Sequence, residues 1–220
     1  ERKTTRTEPP HQLQQLSTVD KILLTTDYLG RTILHLACNS TPTNEANDDD
    51  DHSSNMQSIR RLFVEKLFDR KKLWRQRDRE GRTPLMSAAM LGLSDLFHAI
   101  GSTFSKTRKN FHIDLHQRTG LKNSTLLHLA ASENQVEVVN ALLDMEEELF
   151  GSRDVNAVSD EQLTALHLAA NFGYRDVVEL LCGVGGLENS KFTNFKAVFG
   201  AQNSTALIEA ARLGFAEIVR

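Results

Sequence analysis

Residues 164–181 read "TALHLAANFGYRDVVELL". One imidazole, His167, lies inside an apolar, alanine-rich stretch, and charge returns only at Arg175 and Asp176. A solitary histidine in such a setting is either chemistry or architecture. Looking for the same stretch elsewhere in the chain separates the two. Relatives begin at Thr32 ("TILHLACNS"), Thr83 ("TPLMSAAMLG"), Thr125 ("TLLHLAASEN") and Thr205 ("TALIEAARLG"). With Thr164 they make five copies of T-x-L-x-x-A. In four copies the ninth residue after the threonine is Gly92, Asn134, Gly173 or Gly214, and a second apolar-periodic segment follows it.

Local chemistry assigns each part. Threonine is a good helix N-cap, and Pro84 suits the first helical position after Thr83. Paired alanines let neighbouring helices approach closely. Gly or Asn at the ninth place accepts the left-handed conformation that ends a helix. Asp95, Glu137, Asp176 and Glu217 fall near the start of the second segments, where negative charge opposes the helix dipole favourably. Two residues before each threonine stands Gly30, Gly81, Asn123, Gln162 or Asn203, mostly residue types suited to a turn with positive φ. Helices this short are unstable alone, so the units must stack.

These residues resemble the ankyrin repeat. D-x-x-G-R-T runs from Asp27 and from Asp78, L-H-L-A occurs in three copies, and D-V-N lies at 154–156. The resemblance covers about residues 27–220. It implies an all-α solenoid of stacked antiparallel helix pairs with hairpin fingers along one edge, its repeats starting near 27, 78, 120, 159 and 200. Residues 1–20 read as a polar tail or the end of a preceding repeat, residues 21–220 as the repeat domain, and the chain as a fragment of a longer protein. The threonines are spaced 51, 42, 39 and 41 residues apart, against about 33 in the usual repeat. The excess is expected in an acidic insertion at 40–55, a long finger at 102–122 and a long loop at 183–203. After the insertion, a displaced second helix is expected over 56–69, with Ile59, Leu62, Phe63, Lys66 and Leu67 at i, i+3, i+4 spacing.

For His35, His128 and His167 the resemblance implies hydrogen bonds to each unit's own turn and threonine (Thr32, Thr125 and Thr164). The copies at Thr83 and Thr205 depart, with Met86 and Ile208 in that place. The family further implies a non-catalytic scaffold that binds proteins through its finger tips and the concave face of its first helices. Here the tips are Arg31, Arg79, Glu80, Arg82, Lys122, Asn123, Glu161, Gln162, Gln202 and Asn203. More loosely, "GRTILHL", a long break and "DREGRTPL" look like part of the cytosolic ankyrin region of TRPA-type cation channels, which would place a pore C-terminal to this sequence. The alternative is a soluble IκB-like or adaptor protein that masks or recruits a signalling partner.

Composition is ordinary, at 40% hydrophobic, 25% charged and a net charge of −3. It points to no nucleic-acid partner and to a cytoplasmic setting. No apolar run approaches the roughly 18 residues of a membrane helix, so a membrane enters only through a channel region outside this sequence. Cys38 and Cys182 lie in apolar helical stretches and read as reduced thiols. No catalytic motif or cofactor signature is present. Residues 60–82 hold ten Lys or Arg and four acids, and Arg70, Lys71, Lys72 and Arg75 are a candidate site for an acidic peptide or a phosphoinositide.

Overall fold

The computed structural model describes residues 18–39, 50–67, 70–107, 117–119, 122–149, 155–183 and 204–219. They form α1 (Thr18–Leu23), α2 (Ile33–Asn39), α3 (Asp50–Leu67), α4 (Lys71–Arg75), α5 (Pro84–Met90), α6 (Ser94–Thr107), α7 (Leu126–Ser132), α8 (Val136–Leu149), α9 (Ala165–Phe172), α10 (Arg175–Cys182), α11 (Ala206–Leu213) and α12 (Ala216–Val219). There is no sheet among the described residues. Two rows of helices stack side by side. The first row runs α2, α5, α7, α9, α11, and the second runs α3, α6, α8, α10, α12, each helix packing on its neighbours in the row and on its own partner.

The expected caps account for the first row. The hydroxyls of Thr83, Thr125, Thr164 and Thr205 accept from the backbone N–H three residues on. Gly92, Asn134, Gly173 and Gly214 all take positive φ and release the chain into the second helix. Ala88, Ala89, Ala130, Ala131, Ala169 and Ala170 are at most 1% exposed, so backbones approach without intervening side chains. In the first unit Cys38 holds the place of the second alanine. Burial pushes its thiol up to about 12, which makes it a packing residue and not a nucleophile. Cys182 is half-buried and its thiol is also raised by burial.

Two boundaries differ from expectation: residues 50–55, read as insertion, belong to α3, and residues 102–107, read as finger, continue α6. Thr18–Asp20, within the stretch read as a polar tail or the end of a preceding repeat, open α1. Residues 40–49, 108–116 and 184–203 lie outside the described residues. The buried face of α3 also differs. Arg60, Val64 and Leu67 face inward, while Leu62 is 51% exposed. Apolar spacing could not reveal this, because a buried arginine stands in for an apolar residue. Arg60 Nε donates to Ala37 O at 3.1 Å, and its guanidinium meets the Asp95 carboxylate at 3.3 Å. Inside the basic run, α4 buries Leu73 and Trp74, and the Trp74 indole N–H donates to Leu67 O at 2.9 Å.

A Cβ added at Gly173 would fall 2.6 Å from the Phe215 ring of the next unit, whereas one at Gly214 would meet nothing within 4 Å. Both positions have positive φ. Gly214→Ala is therefore expected to cost about 1 kcal/mol from conformation alone, and Gly173→Ala about 3 kcal/mol once the displaced ring is added. Urea denaturation of the two variants checks this; equal losses would refute the role of Phe215.

Candidate interaction edge

Each finger is built by its first polar residue. Asp27 Oδ1 accepts from the N–H groups of Leu29 and Arg31 at 2.9 and 2.8 Å, and Oδ2 pairs with the Arg31 guanidinium at 2.7 Å. Asp78 repeats the pattern with Glu80, with Arg82 N–H at 2.8 Å and with the Arg82 guanidinium at 3.2 Å. Desolvation opposes ionisation of Asp27, but the Arg31 side chain and the backbone donors outweigh it and hold the carboxyl below its ordinary range. In the third and fourth fingers Thr119 and Ser159 do this work, with Thr119 Oγ1 accepting from Ser124 N–H and Ser159 Oγ from Leu163 N–H. Gly30, Gly81, Asn123 and Gln162 all adopt positive φ. Gln162 does so without the usual advantage of Gly or Asn.

The fingers are bonded to one another. Arg79 N–H donates to Leu29 O at 2.9 Å, joining the second finger to the first. Arg77 reaches Arg118 O at 2.7 Å, joining the second to the third. Asp160 N–H donates to Lys122 O at 2.9 Å and Arg118 reaches Val158 O at 2.9 Å, joining the third to the fourth. Lys122 and Glu161 add an exposed ion pair at 3.1 Å. The result is a continuous edge rather than separate loops.

Behind that edge sit the imidazoles. The Nδ1 atoms of His35, His128 and His167 lie 2.9, 2.7 and 2.8 Å from the hydroxyls of Thr32, Thr125 and Thr164. Backbone N–H groups of Thr32 and Thr125 also donate to Nδ1. The other nitrogen faces the next unit. Nε2 lies 3.0 Å from Arg82 O for His35, 2.9 Å from Leu163 O for His128 and 3.2 Å from Ser204 O for His167. A carbonyl only accepts, so Nε2 carries the proton and Nδ1 is the acceptor. Both nitrogens are occupied, which leaves neither for a metal or a substrate. In the second unit Met86 Sδ takes the N–H of Thr83 at 3.4 Å, a weak copy of half this arrangement.

Of the expected tip residues, Arg79, Glu80, Lys122, Asn123, Glu161 and Gln162 are exposed on the edge, while Arg31 and Arg82 are partly buried fasteners of their own fingers. Gln202 and Asn203 lie outside the described residues. Lys72, Arg70 and Arg75 are exposed at the α3–α4 corner, and Lys71 opens α4. Sequence reasoning missed a second feature. Leu36, Leu91, Phe172 and Leu213 are 39–50% exposed. They stand four or eight places after a unit's threonine, on one face of the first-row helices. The register of the repeat carries this signal, since the positions recur at fixed offsets from the threonine.

A family model described as "Ankyrin repeats (3 copies)" matches residues 96–191 and 148–220, more than half of the chain taken together. The chain belongs to the ankyrin-repeat family. The crystal structure of EF0377, an ankyrin repeat protein, is similar in fold, with a TM-score of 0.61 over 89% of this chain and 81% of that one at 20% identity. A chain in the crystal structure of the yeast ribosomal protein Rps3 in complex with its chaperone Yar1 matches 61% of this chain and 85% of its own length, with a TM-score of 0.47 and 23% identity. Ankyrin-repeat domains are non-catalytic protein-interaction modules, and the geometry of His35, His128 and His167 fits that role.

His167→Ala is expected to lower stability by about 2 kcal/mol through the lost buried hydrogen bonds, as read by urea denaturation. Burial holds His35 and His167 below the ordinary imidazole value of 6.5, although each backbone carbonyl pulls the other way. Below that pH the unfolded chain takes up protons that the folded chain refuses. Stability is therefore full above pH 6.5 and falls as pH drops through it. Urea midpoints taken from roughly pH 7.5 to 5.5 test the sign; a flat or rising profile on acidification contradicts it.

Proposed function

We propose that this chain is a protein-docking scaffold that binds its partner along the finger edge and the adjoining face of the first-row helices. The observation that carries this reading is the bonding of finger to finger. It holds Arg79, Glu80, Lys122, Asn123, Glu161 and Gln162 on a fixed edge, so a partner need not order four separate loops. Preorganisation of that kind lowers the entropic cost of association. The exposed Leu36, Leu91, Phe172 and Leu213 on the first-row helices supply apolar area, and apolar area together with charged tips matches the anatomy of a protein interface. The setting that suits this role is the cytoplasm.

The finer alternatives differ in what the full-length protein contains. The channel reading rests on the order of motifs in residues 27–90, which the family-model match does not include. No described helix is long and apolar enough to cross a membrane. A full-length reading frame with several apolar spans C-terminal to residue 220 supports the channel; a short frame without them supports an IκB-like or adaptor protein.

The interaction edge is tested by pull-down from the source tissue with the unmodified chain and with Arg79→Glu, Lys122→Glu and Glu161→Lys combined. All three side chains are exposed, so folding is expected to survive. Partners retained by the unmodified chain are expected to be lost with the triple variant. Retention of the same partners at the same yield refutes the edge as the binding surface.

A further inference from the structure

We propose that the ends of the first-row helices away from their threonines form a column that reads a proline-rich segment of a partner protein in the polyproline II conformation. This rests on the docking reading above and names its occupant. The column is the eighth residue after each threonine. In the second to fifth units it is Leu91, Glu133, Phe172 and Leu213. Each ends or caps its helix, just before the left-handed turn at Gly92, Asn134, Gly173 or Gly214. The three apolar members are 39%, 50% and 41% exposed, and Glu133 is exposed among them. The first-row helices stack neighbour on neighbour. Units that repeat one register present the same position at the same height, so the four side chains line up across the stack.

The frame beneath the column is fixed. Gln135 Nε2 donates to Met90 O at 3.0 Å and ties the turn of the third unit to the second. The Phe215 ring lies against Gly173 and ties the fifth unit to the fourth. Phe172 is held within its own turn, its ring stacked on Tyr174 with centroids 5.7 Å apart and planes 25° apart. A partner therefore meets side chains already in place, which lowers the entropic cost of binding.

Spacing selects the occupant. Packed helices lie roughly 8–10 Å apart, so successive members of the column recur at about that distance. A polyproline II chain has about three residues per turn and rises ~3.1 Å per residue, so every third side chain returns to one face after ~9 Å. A β-strand brings a side chain back to one face every ~6.6 Å and falls out of step. An α-helix projects one about every 5.4 Å, half of them over the seams between units. The Phe172–Tyr174 pair also suits proline-rich chains, which dock on aromatic side chains. Charge complementarity makes the residue opposite Glu133 basic. From the second unit to the fifth, the sequence read is apolar, basic, apolar, apolar at every third place, with proline between.

Fluorescence anisotropy tests the column with a fluorescein-labelled peptide, Leu-Pro-Pro-Arg-Pro-Pro-Leu-Pro-Pro-Leu, and with the reversed sequence, which covers both chain directions. One of the two is expected to bind the unmodified chain, about tenfold more tightly than a peptide with the same four side chains at every second place. Phe172→Asp is expected to weaken binding about tenfold or more. Glu133→Lys is expected to weaken it about threefold and to favour the peptide with Glu in place of Arg, a reversal that a structural defect does not produce. Lys122→Glu on the finger edge is expected to leave binding unchanged. Circular dichroism follows folding, and the exposed Glu133 carries the test if Phe172→Asp fails to fold. No binding of either peptide, equal binding at the shorter spacing, or no reversal with Glu133→Lys overturns the proposal. The pull-down above reads the scaffold separately: partners lost with the finger variant while neither peptide binds overturns the column and leaves the scaffold standing.

Discussion

Each imidazole in the row accepts at Nδ1 from the threonine of its own unit and donates from Nε2 to the carbonyl just before the threonine of the next. That carbonyl ends a finger. A single ring thus sets the start of a helix, the position of the following finger and the spacing between neighbours. Everything else adapts to this register. The alanines must be small because the rows are drawn close, and the glycines must be left-handed because the second helix has to return over the same span. Phe215 packs over Gly173 for the same reason. Stability in such an array is local and shared between neighbours.

The finger edge follows from this register and adds its own bonds. Asp27 and Asp78 tighten the first two fingers, and Thr119 and Ser159 do so with less charge in the next two. The carboxylates that close the fingers also hold Arg31 and Arg82. The exposed charge on the edge therefore belongs to Arg79, Glu80, Lys122 and Glu161, residues at the turns themselves, with Glu80 paired to Arg82 and Lys122 to Glu161.

Much of this was legible in the residues. Thr164, His167, Gly173 and their counterparts announce helix, cap and turn because each works through bonds to near sequence neighbours. Half of what His167 does was not legible, since its bond to Ser204 joins positions 37 apart in sequence and no local pattern encodes it. Nothing local marks Arg60 as buried, because its partners, Ala37 O and Asp95, come from other helices. Leu73 and Trp74 were hidden by the basic residues around them. Exposure of Leu36, Leu91, Phe172 and Leu213 depended on which face of a first-row helix the stacking leaves open. Apart from the ends of α3 and α6, the missed features are tertiary, and the legible ones are local.

Met86 interrupts the row of imidazoles between the second and third units. That boundary is held instead by amides and a guanidinium: Gln117 Nε2 donates to Trp74 O at 3.2 Å, Gln135 Nε2 to Met90 O at 3.0 Å and Arg77 to Arg118 O at 2.7 Å. None of these groups changes charge between neutral and mildly acidic solution. His35 and His167, whose burial resists protonation, stand at the first and last joints, and the bonds named across the boundary between the second and third units use no imidazole. Acid therefore acts on the array as a selective loosening agent, felt first at its two end joints.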